Sequence, residues 1–349
     1  RSNPASSDIE IGVNMKNVDS SNSLGTINAN ETKKVYVQIK NNSTSSITIT
    51  LGVVSNSISS DMNVVPIGKE GESAISTATN LAKYITSLYA NTSKATVTNN
   101  SITYNYATSV GLMNDRLGSS STDIDGGNIR YYGASPNNYI YFNCSDYSNQ
   151  SSSTCELWRI VGVFDGKVKI MRNGSIGSYS WDNKSKTTGS EYDYGENNWT
   201  TSRIMKLLNP SKYYTTDTND KGYGQSLYWN GQSGTCFSGQ TDATLSCNFT
   251  NIGIKNDVTK NIISESIWYL KGWSPASKPN VYVEQAYEYE RTTGSVNSGR
   301  PTSWTGKISL LYPSDYGYAV DFGQCERILG EYDDSTCANC NWMKSIITG

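Results

Sequence analysis

Apolar and polar residues alternate in a strand rhythm at the start of this chain. Ile9-Glu-Ile-Gly-Val13 and Val35-Tyr-Val-Gln-Ile39 repeat every second residue, and Ser46-Ile-Thr-Ile-Thr-Leu-Gly-Val-Val54 is rich in β-branched side chains. The polar cluster Lys40-Asn-Asn-Ser-Thr-Ser45 between the last two predicts a hairpin turn. A fourth run, Met62-Asn-Val-Val-Pro66, ends in a proline that assigns it to a sheet edge. Residues 1–68 are therefore expected to form an all-β, sandwich-like module. Four strands are fewer than the roughly seven usual in such a fold, so either short strands escape the pattern or a neighbouring chain supplies one.

After Gly68-Lys-Glu-Gly-Glu72 the period changes. Ala74, Ala78, Leu81, Ala82, Ile85, Leu88 and Tyr89 recur at helical spacing, predicting an amphipathic helix over about 73–90 with Ser73 as its cap. Short elements follow. Tyr139–Phe142 reads as a strand, and Leu157–Phe164 joined to Lys167–Met171 through Asp165-Gly166 reads as a hairpin with a type I′ turn. A helix capped by Thr201 is predicted through Leu208 and closed by Asn209-Pro210. Further helices are expected at Thr259–Leu270 and Tyr282–Arg291, and a strand from Trp304 to Leu311 before a turn at Pro313-Ser-Asp315. Residues 69–349 thus read as one mixed domain, and the whole chain as α+β.

Composition narrows the function. Charged residues make up 17% of the 349, below the roughly 25% typical of soluble domains, and the net charge is −2, which gives no electrostatic footprint for nucleic acid. Tyrosine (25) and tryptophan (8) far outnumber phenylalanine (5), a balance suited to wet, contact-making surfaces. Histidine is absent, which removes the usual general base near neutral pH and the commonest metal ligand. No apolar run approaches the ~20 residues of a membrane span.

The seven cysteines are clustered. Cys144 and Cys155, and Cys236 and Cys247, share one spacing across short polar loops, and both pairs are expected to be disulfides. Cys325 is expected to pair with Cys337, leaving Cys340 free or joined to another chain. Cys337-Ala-Asn-Cys340 has the spacing of a thiol-exchange motif but lacks the βαβ context that lowers a thiol pKa. Such bridges persist where thiols are oxidised, so the protein is expected outside the cell.

Several motifs in order carry a resemblance. They are Tyr139-Ile-Tyr-Phe-Asn-Cys144, Cys155-Glu-Leu-Trp-Arg-Ile-Val-Gly-Val-Phe164, Trp181-Asp182, Asn198-Trp199, Leu207-Leu-Asn-Pro210, Trp304-Thr-Gly-Lys-Ile308 and Tyr312-Pro-Ser-Asp-Tyr-Gly-Tyr318. The chain resembles an uncharacterised extracellular family of gut Firmicutes and related low-GC bacteria, over roughly residues 75–349. That family has a domain similar to the C-type-lectin-like and sulfatase-modifying-factor fold. The first 68 residues resemble β modules of fibre-forming and surface-anchored proteins of the same bacteria. Family members continue beyond the position of Asn341-Trp342-Met343 into further strands, whereas this sequence stops at Ile346-Ile-Thr-Gly349. The closing hairpin of a lectin-like domain is accordingly expected to be missing, cleaved or supplied by another chain. Sulfatase-modifying enzymes use reactive cysteines, and here the cysteines are expected to be occupied in disulfides.

Candidate chemistry is sparse. Glycoside hydrolysis needs two carboxylates and no histidine, which brings in Glu156, Asp182, Glu265, Glu284, Glu288 and Asp315. Glu284 and Glu288 share one helix face and read as solvated, Asp315 reads as a turn-former, and nothing places two of the six across a cleft. Asp123-Ile-Asp125 and Asp333-Asp334 raise calcium as an open alternative, without the spacing of a dedicated loop; otherwise no metal or cofactor is expected. Trp181, Trp199, Trp268 and Trp304 read as core or turn anchors. Tyr228, Trp229 and Trp273 are the candidate ligand-contact aromatics. The expected protein is a non-enzymatic cell-surface or extracellular filament subunit, or an adhesin. It would self-assemble by strand addition or bind another surface protein. The alternative is a singly displayed lectin-like module that binds glycan or protein.

Overall fold

In the computed structural model the chain divides into two compact units, Arg1–Val53 and Val54–Gly349. The described residues are 9–13, 16–17, 37–41, 81–115, 127–182, 198–215, 222–237, 244–274, 276, 278–330 and 335–347. In the first unit β1 (Ile9–Val13) pairs antiparallel with β2 (Lys16–Asn17) on one side and with β3 (Val37–Asn41) on the other. Positions 37–39 of the strand expected at 35–39 lie in β3, which continues through Lys40 and Asn41, expected as the start of the turn; positions 35 and 36 lie outside the described residues. The runs expected at 46–54 and 62–66, and the first turns of the 73–90 helix, lie outside the described residues.

The second unit is a mixed α and β structure in which every strand pair among the described residues is antiparallel. It opens with helix α1 (Leu81–Asn91), followed by β4 (Ala95–Asn99), β5 (Ile102–Ala107), β6 (Leu112–Asn114), β7 (Ile129–Tyr131), β8 (Tyr139–Phe142), β9 (Glu156–Phe164) and β10 (Lys167–Arg172). These strands form one sheet in the order β10-β9-β7-β6-β5-β4. Strand β9 is its spine. Residues Glu156 to Arg159 pair with β8, and Gly162 and Val163 pair with β7. Asn138 fills the handover: its backbone oxygen accepts from Ile160 N–H at 2.7 Å, and its amide donates to Ile160 O at 2.8 Å. At Gly162 a Cβ would sit 2.3 Å from Ile129 O, so the approach of β7 requires glycine. The β9–β10 hairpin turns through Asp165 (φ 48°) and Gly166 (φ 69°), as the Asp-Gly pair predicts.

Each face of the sheet is covered. On one face Ala82 and Ile85 of α1 pack with Ala107, Leu112, Ile129, Tyr131, Ile140, Ile160 and Val163. The other face begins with Tyr104, Tyr106 and Met113 and continues into Val283, Tyr318, Val320, Phe322 and the third cysteine cluster. That second layer is built by α5 (Val283–Arg291), α6 (Pro313–Tyr318), α7 (Ser335–Asn339) and α8 (Lys344–Ile347). A third cluster gathers α2 (Arg203–Leu208), α3 (Leu227–Asn230) and the β11 (Ser233–Phe237)–β12 (Thr244–Asn248) hairpin around Trp199, Phe249 and Trp304.

Four local expectations need correction. Ser202, not Thr201, caps α2, its hydroxyl accepting from Met205 N–H at 3.3 Å. The helix expected over Thr259–Leu270 is only α4 (Asp257–Ile262), capped by the Asn256 side chain. It stops at Ile263, and Ser266–Tyr269 forms strand β13 because Ile-Trp-Tyr suits a pleated surface. The strand expected over Trp304–Leu311 is confined to β14 (Ser303–Gly306), which pairs with β13. Beyond it the amides of Lys307 and Ile308 both donate to Asn209 Oδ1, at 3.3 and 2.9 Å, in place of a ladder. Lastly, Pro313-Ser-Asp315 is the first turn of α6 rather than a free turn, with Pro313 at its opening position and Asp315 in a capping box.

Candidate functional site

The cysteines brace the second unit. Cys144–Cys155 lies just beyond the last β8–β9 pair, Phe142 with Glu156, and locks that hairpin. Cys236–Cys247 crosses β11 and β12, and Cys325–Cys337 joins the layer over the sheet. Cys340 has no disulfide partner among the described residues, is 3% exposed, and its thiol donates to Cys337 O. Burial pushes that thiol up, away from the reactive thiolate. A bond from Cys340 to another chain would require this core to open, because the sulfur is covered.

The aromatic expectation is corrected in part. Tyr228 and Trp229 are 3% and 6% exposed and belong to the core, where Tyr228 meets Phe249 edge-on at 5.8 Å. The cause is local. Gly231 (φ 57°) ends α3, and Ile254 N–H donates to Tyr228 O at 2.9 Å, folding α3 inward. Trp199 and Trp304 are core, with Trp181 and Trp268 half-buried beside them. Trp273 is half-buried next to Tyr289 (6.0 Å between centroids), whose ring carries Lys278 Nζ at 3.9 Å.

The six carboxylates scatter. Glu156 accepts from Arg172, Trp158 and Asn143; Glu265 accepts from Lys212 and Tyr213 at the surface; Glu284 is bonded to Arg327; Glu288 is exposed and Asp182 half-buried. Among the described residues no group of three metal-ligating side chains converges. The aspartate pairs at 123/125 and 333/334 lie outside the described residues.

Asp315 does not behave as a turn residue. Its side chain is wholly buried and sits in a chain of charges that the sequence alone did not reveal. Arg130, projecting from β7, donates through Nε to Asp115 Oδ2 at 2.5 Å and through Nη1 to Asp315 Oδ1 at 3.2 Å. Lys169, from β10, donates to Asp315 Oδ2 at 2.6 Å. Aromatic rings wall the chain. The Arg130 guanidinium lies 4.4 Å from the Tyr318 centroid and 4.6 Å from that of Phe164. Lys169 Nζ lies 4.4, 5.2 and 5.3 Å from Tyr312, Phe164 and Trp268. Adjacent to Asp315, the Ser314 amide and hydroxyl donate to Glu290, which also accepts from Arg291 at 2.6 Å.

Electrostatics follow from this geometry. Burial lowers the Lys169 ammonium against the pull of Asp315. Burial would raise Asp315, but Lys169 and Arg130 outweigh it and hold the carboxyl below its usual range. Glu290 is raised by burial, only partly offset by Arg291 and Ser314. The sequence carried a faint signal for these groups. Arg130 is the lone cation of the strand-forming run Asn128-Ile-Arg-Tyr-Tyr132, and Lys169 lies between apolar neighbours in Lys167-Val-Lys-Ile-Met171.

The two edges of the large sheet differ. Strand β10 carries Lys167, Lys169 and Arg172, charges that discourage a neighbour from pairing, and its ladder to β9 is irregular where β9 holds an extra residue, Val161, between Ile160 and Gly162. Strand β4, Ala-Thr-Val-Thr-Asn, has no charge, no proline and no bulge. It joins β5 through Asn100 (φ 46°) and Ser101 (φ 68°), a two-residue loop that makes Asn99 and Ile102 a bonded pair. In that register the amides and carbonyls of Thr96 and Thr98 point away from β5. Among the described residues no strand pairs with this outer side. No described helix is long and apolar enough to cross a membrane. Comparison with protein families, curated proteins and solved structures finds no match to this chain.

Proposed function

We propose that this protein is a non-enzymatic extracellular surface subunit, an adhesin or filament component, joined to other copies by strand addition along β4. The observation that carries the reading is the contrast between the guarded edge β10 and the unguarded edge β4. Three disulfides in the described chain fit an oxidising compartment. On this reading the first unit is a sandwich-like spacer and the second a lectin-like display domain, as the motif resemblance implies. The described carboxylates with assigned contacts are paired with cations or hydrogen-bond donors, which suits a structural role better than proton transfer.

Thr96→Pro is the direct test. The outward amide of Thr96 bonds nothing in β5, so its loss leaves the monomer folded while removing a donor a partner strand would need. Negative-stain electron microscopy and light scattering should show assembled wild-type chain, a dimer where β4 pairs with β4 and a polymer where another segment of the neighbouring copy fills that edge, and monomers for the variant. Monomeric wild-type protein at high concentration would reject the assembly. Attention would then pass to Trp273 and Tyr289, tested on a glycan array with and without calcium.

A further inference from the structure

A lysine on an edge strand ordinarily carries its ammonium out to water. Lys169 does the opposite. Its side chain is 13% exposed and its Nζ lies 2.6 Å from an Asp315 oxygen whose own side chain is 0% exposed. Tyr312, Phe164 and Trp268 close around the amine. The second Asp315 oxygen is bonded to Arg130 Nη1 at 3.2 Å. An amine, a carboxyl and a cation on the carboxyl's far oxygen are therefore held together in a dry site.

We propose that Lys169 and Asp315 condense into an amide, an intramolecular isopeptide bond that ties β10 to α6. The ammonium passes one proton to Asp315 Oδ2 along the existing hydrogen bond. The neutral amine then attacks Cγ, and negative charge gathers on Oδ1, where Arg130 Nη1 stabilises it. A second proton from nitrogen reaches Oδ2, the Cγ–Oδ2 bond breaks, and one water leaves. Ammonium and carboxylate become amide plus water, so charge and atoms balance and no oxidant or co-reactant is needed. Burial favours the neutral amine, whereas Lys169 and Arg130 hold Asp315 as carboxylate, so the first proton transfer is the uphill step that the enforced contact must offset. Holding the groups in contact stands in for a very high concentration, with effective molarities of about 10⁵–10⁸ M for well-aligned pairs. The product also balances electrically. Before reaction Arg130 and Lys169 face Asp115 and Asp315; afterwards Arg130 and Asp115 remain as one neutral pair.

Intact mass spectrometry of the folded full chain, after denaturation and complete disulfide reduction, tests this. The wild-type protein should be lighter than its sequence by one water, about 18 Da. A digest should contain the Lys169 peptide joined to the Asp315 peptide. Lys169→Arg should restore the full sequence mass, and Asp315→Asn should instead lose ammonia, about 17 Da, if its core forms. The wild-type measurement suffices should a variant fail to fold. Folded wild-type protein at its full sequence mass would overturn the proposal, as would a water loss mapped anywhere other than this pair.

Discussion

Replacing Arg130 with methionine isolates the energetics of the buried charges. Methionine approximates the aliphatic volume of arginine and leaves Asp115 at 3% exposure with Asn128 as its remaining donor, through N–H at 2.7 Å and Nδ2 at 2.9 Å. Asp315 keeps Lys169. The dominant loss is one buried carboxylate stripped of its cation, a change that costs about 3–5 kcal/mol when one partner of a buried pair is removed. For the unit Val54–Gly349 an unfolding entropy of about 2.1 cal/mol/K per residue moves the midpoint by about 1.6 °C per kcal/mol, so the variant should melt roughly 5–8 °C below wild type. A control sits on the surface. Lys212 and Glu265 are 2.8 Å apart with side chains 59% and 48% exposed, and Lys212→Met should leave stability close to wild type because water screens the pair. The assay is urea denaturation followed by tyrosine and tryptophan fluorescence, with calorimetry for the midpoint. The double variant Arg130→Met, Asp115→Asn should recover part of the loss, since it removes the orphaned charge as well. An Arg130→Met penalty no larger than that of Lys212→Met would refute the claim that these charges are desolvated and mutually dependent.

Other outcomes follow from the same geometry. Glu290 has a folded-state pKa above its unfolded one, so wild-type stability falls as pH rises from the unfolded glutamate range through the raised folded value. Glu290→Gln does not ionise; its stability relative to wild type should climb as pH rises above the unfolded glutamate range in urea titrations, and a pH-independent difference would contradict the buried-acid reading. Replacing Cys236 and Cys247 with serine opens a loop of sequence separation 11 and should cost about 2–4 kcal/mol by urea unfolding. Cys340 should stay unmodified by a thiol reagent in the native protein and react once unfolded; rapid native labelling would show the sulfur is not covered. Hydrogen exchange of the monomer should find the Thr96 and Thr98 amides fast and those of Val97 and Asn99 protected, with the two threonines becoming protected on assembly.

Features legible in the sequence were those closed over a short span. The β9–β10 hairpin could be read because two adjacent residues, Asp165 and Gly166, supply both positive φ angles. The first two disulfides could be read because each closes a polar loop over a separation of 11. Errors arose where a distant side chain overrode local preference. Asn209 captures the amides of Lys307 and Ile308, so a run rich in Ile and Leu loses its strand after Gly306. At α4, apolar spacing could not distinguish a long helix from a short one followed by Ile-Trp-Tyr, because both present aromatic and β-branched residues at compatible intervals. Tyr228 and Trp229 looked exposed because they sit among Asn, Gly and Gln. Those polar neighbours form the cap that turns the two rings inward.

The charge chain is hidden in the sequence for a related reason. A cation inside a strand normally marks the solvent face, and an aspartate after Pro-Ser normally marks a turn, so neither residue type announces burial. Lys169 and Asp315 are 146 positions apart, and they meet only because β10 is the sheet edge against which α6 folds. That position also explains why an inward lysine is tolerated on an edge strand. Charge pointing inward from an edge discourages a further strand from pairing there, and Asp315 supplies the counter-charge that makes inward orientation affordable. Neutralising Asp315 without a covalent bond should therefore do more than destabilise the core. If Asp315→Leu folds, Lys169 must swing outward, and the β10 edge loses the inward charge that guards it. Assembly should then cease to depend on β4 alone, so that adding Thr96→Pro no longer yields a pure monomer by light scattering. A clean monomer from that double variant would show that β10 is guarded by Lys167 and Arg172 without help from the buried pair.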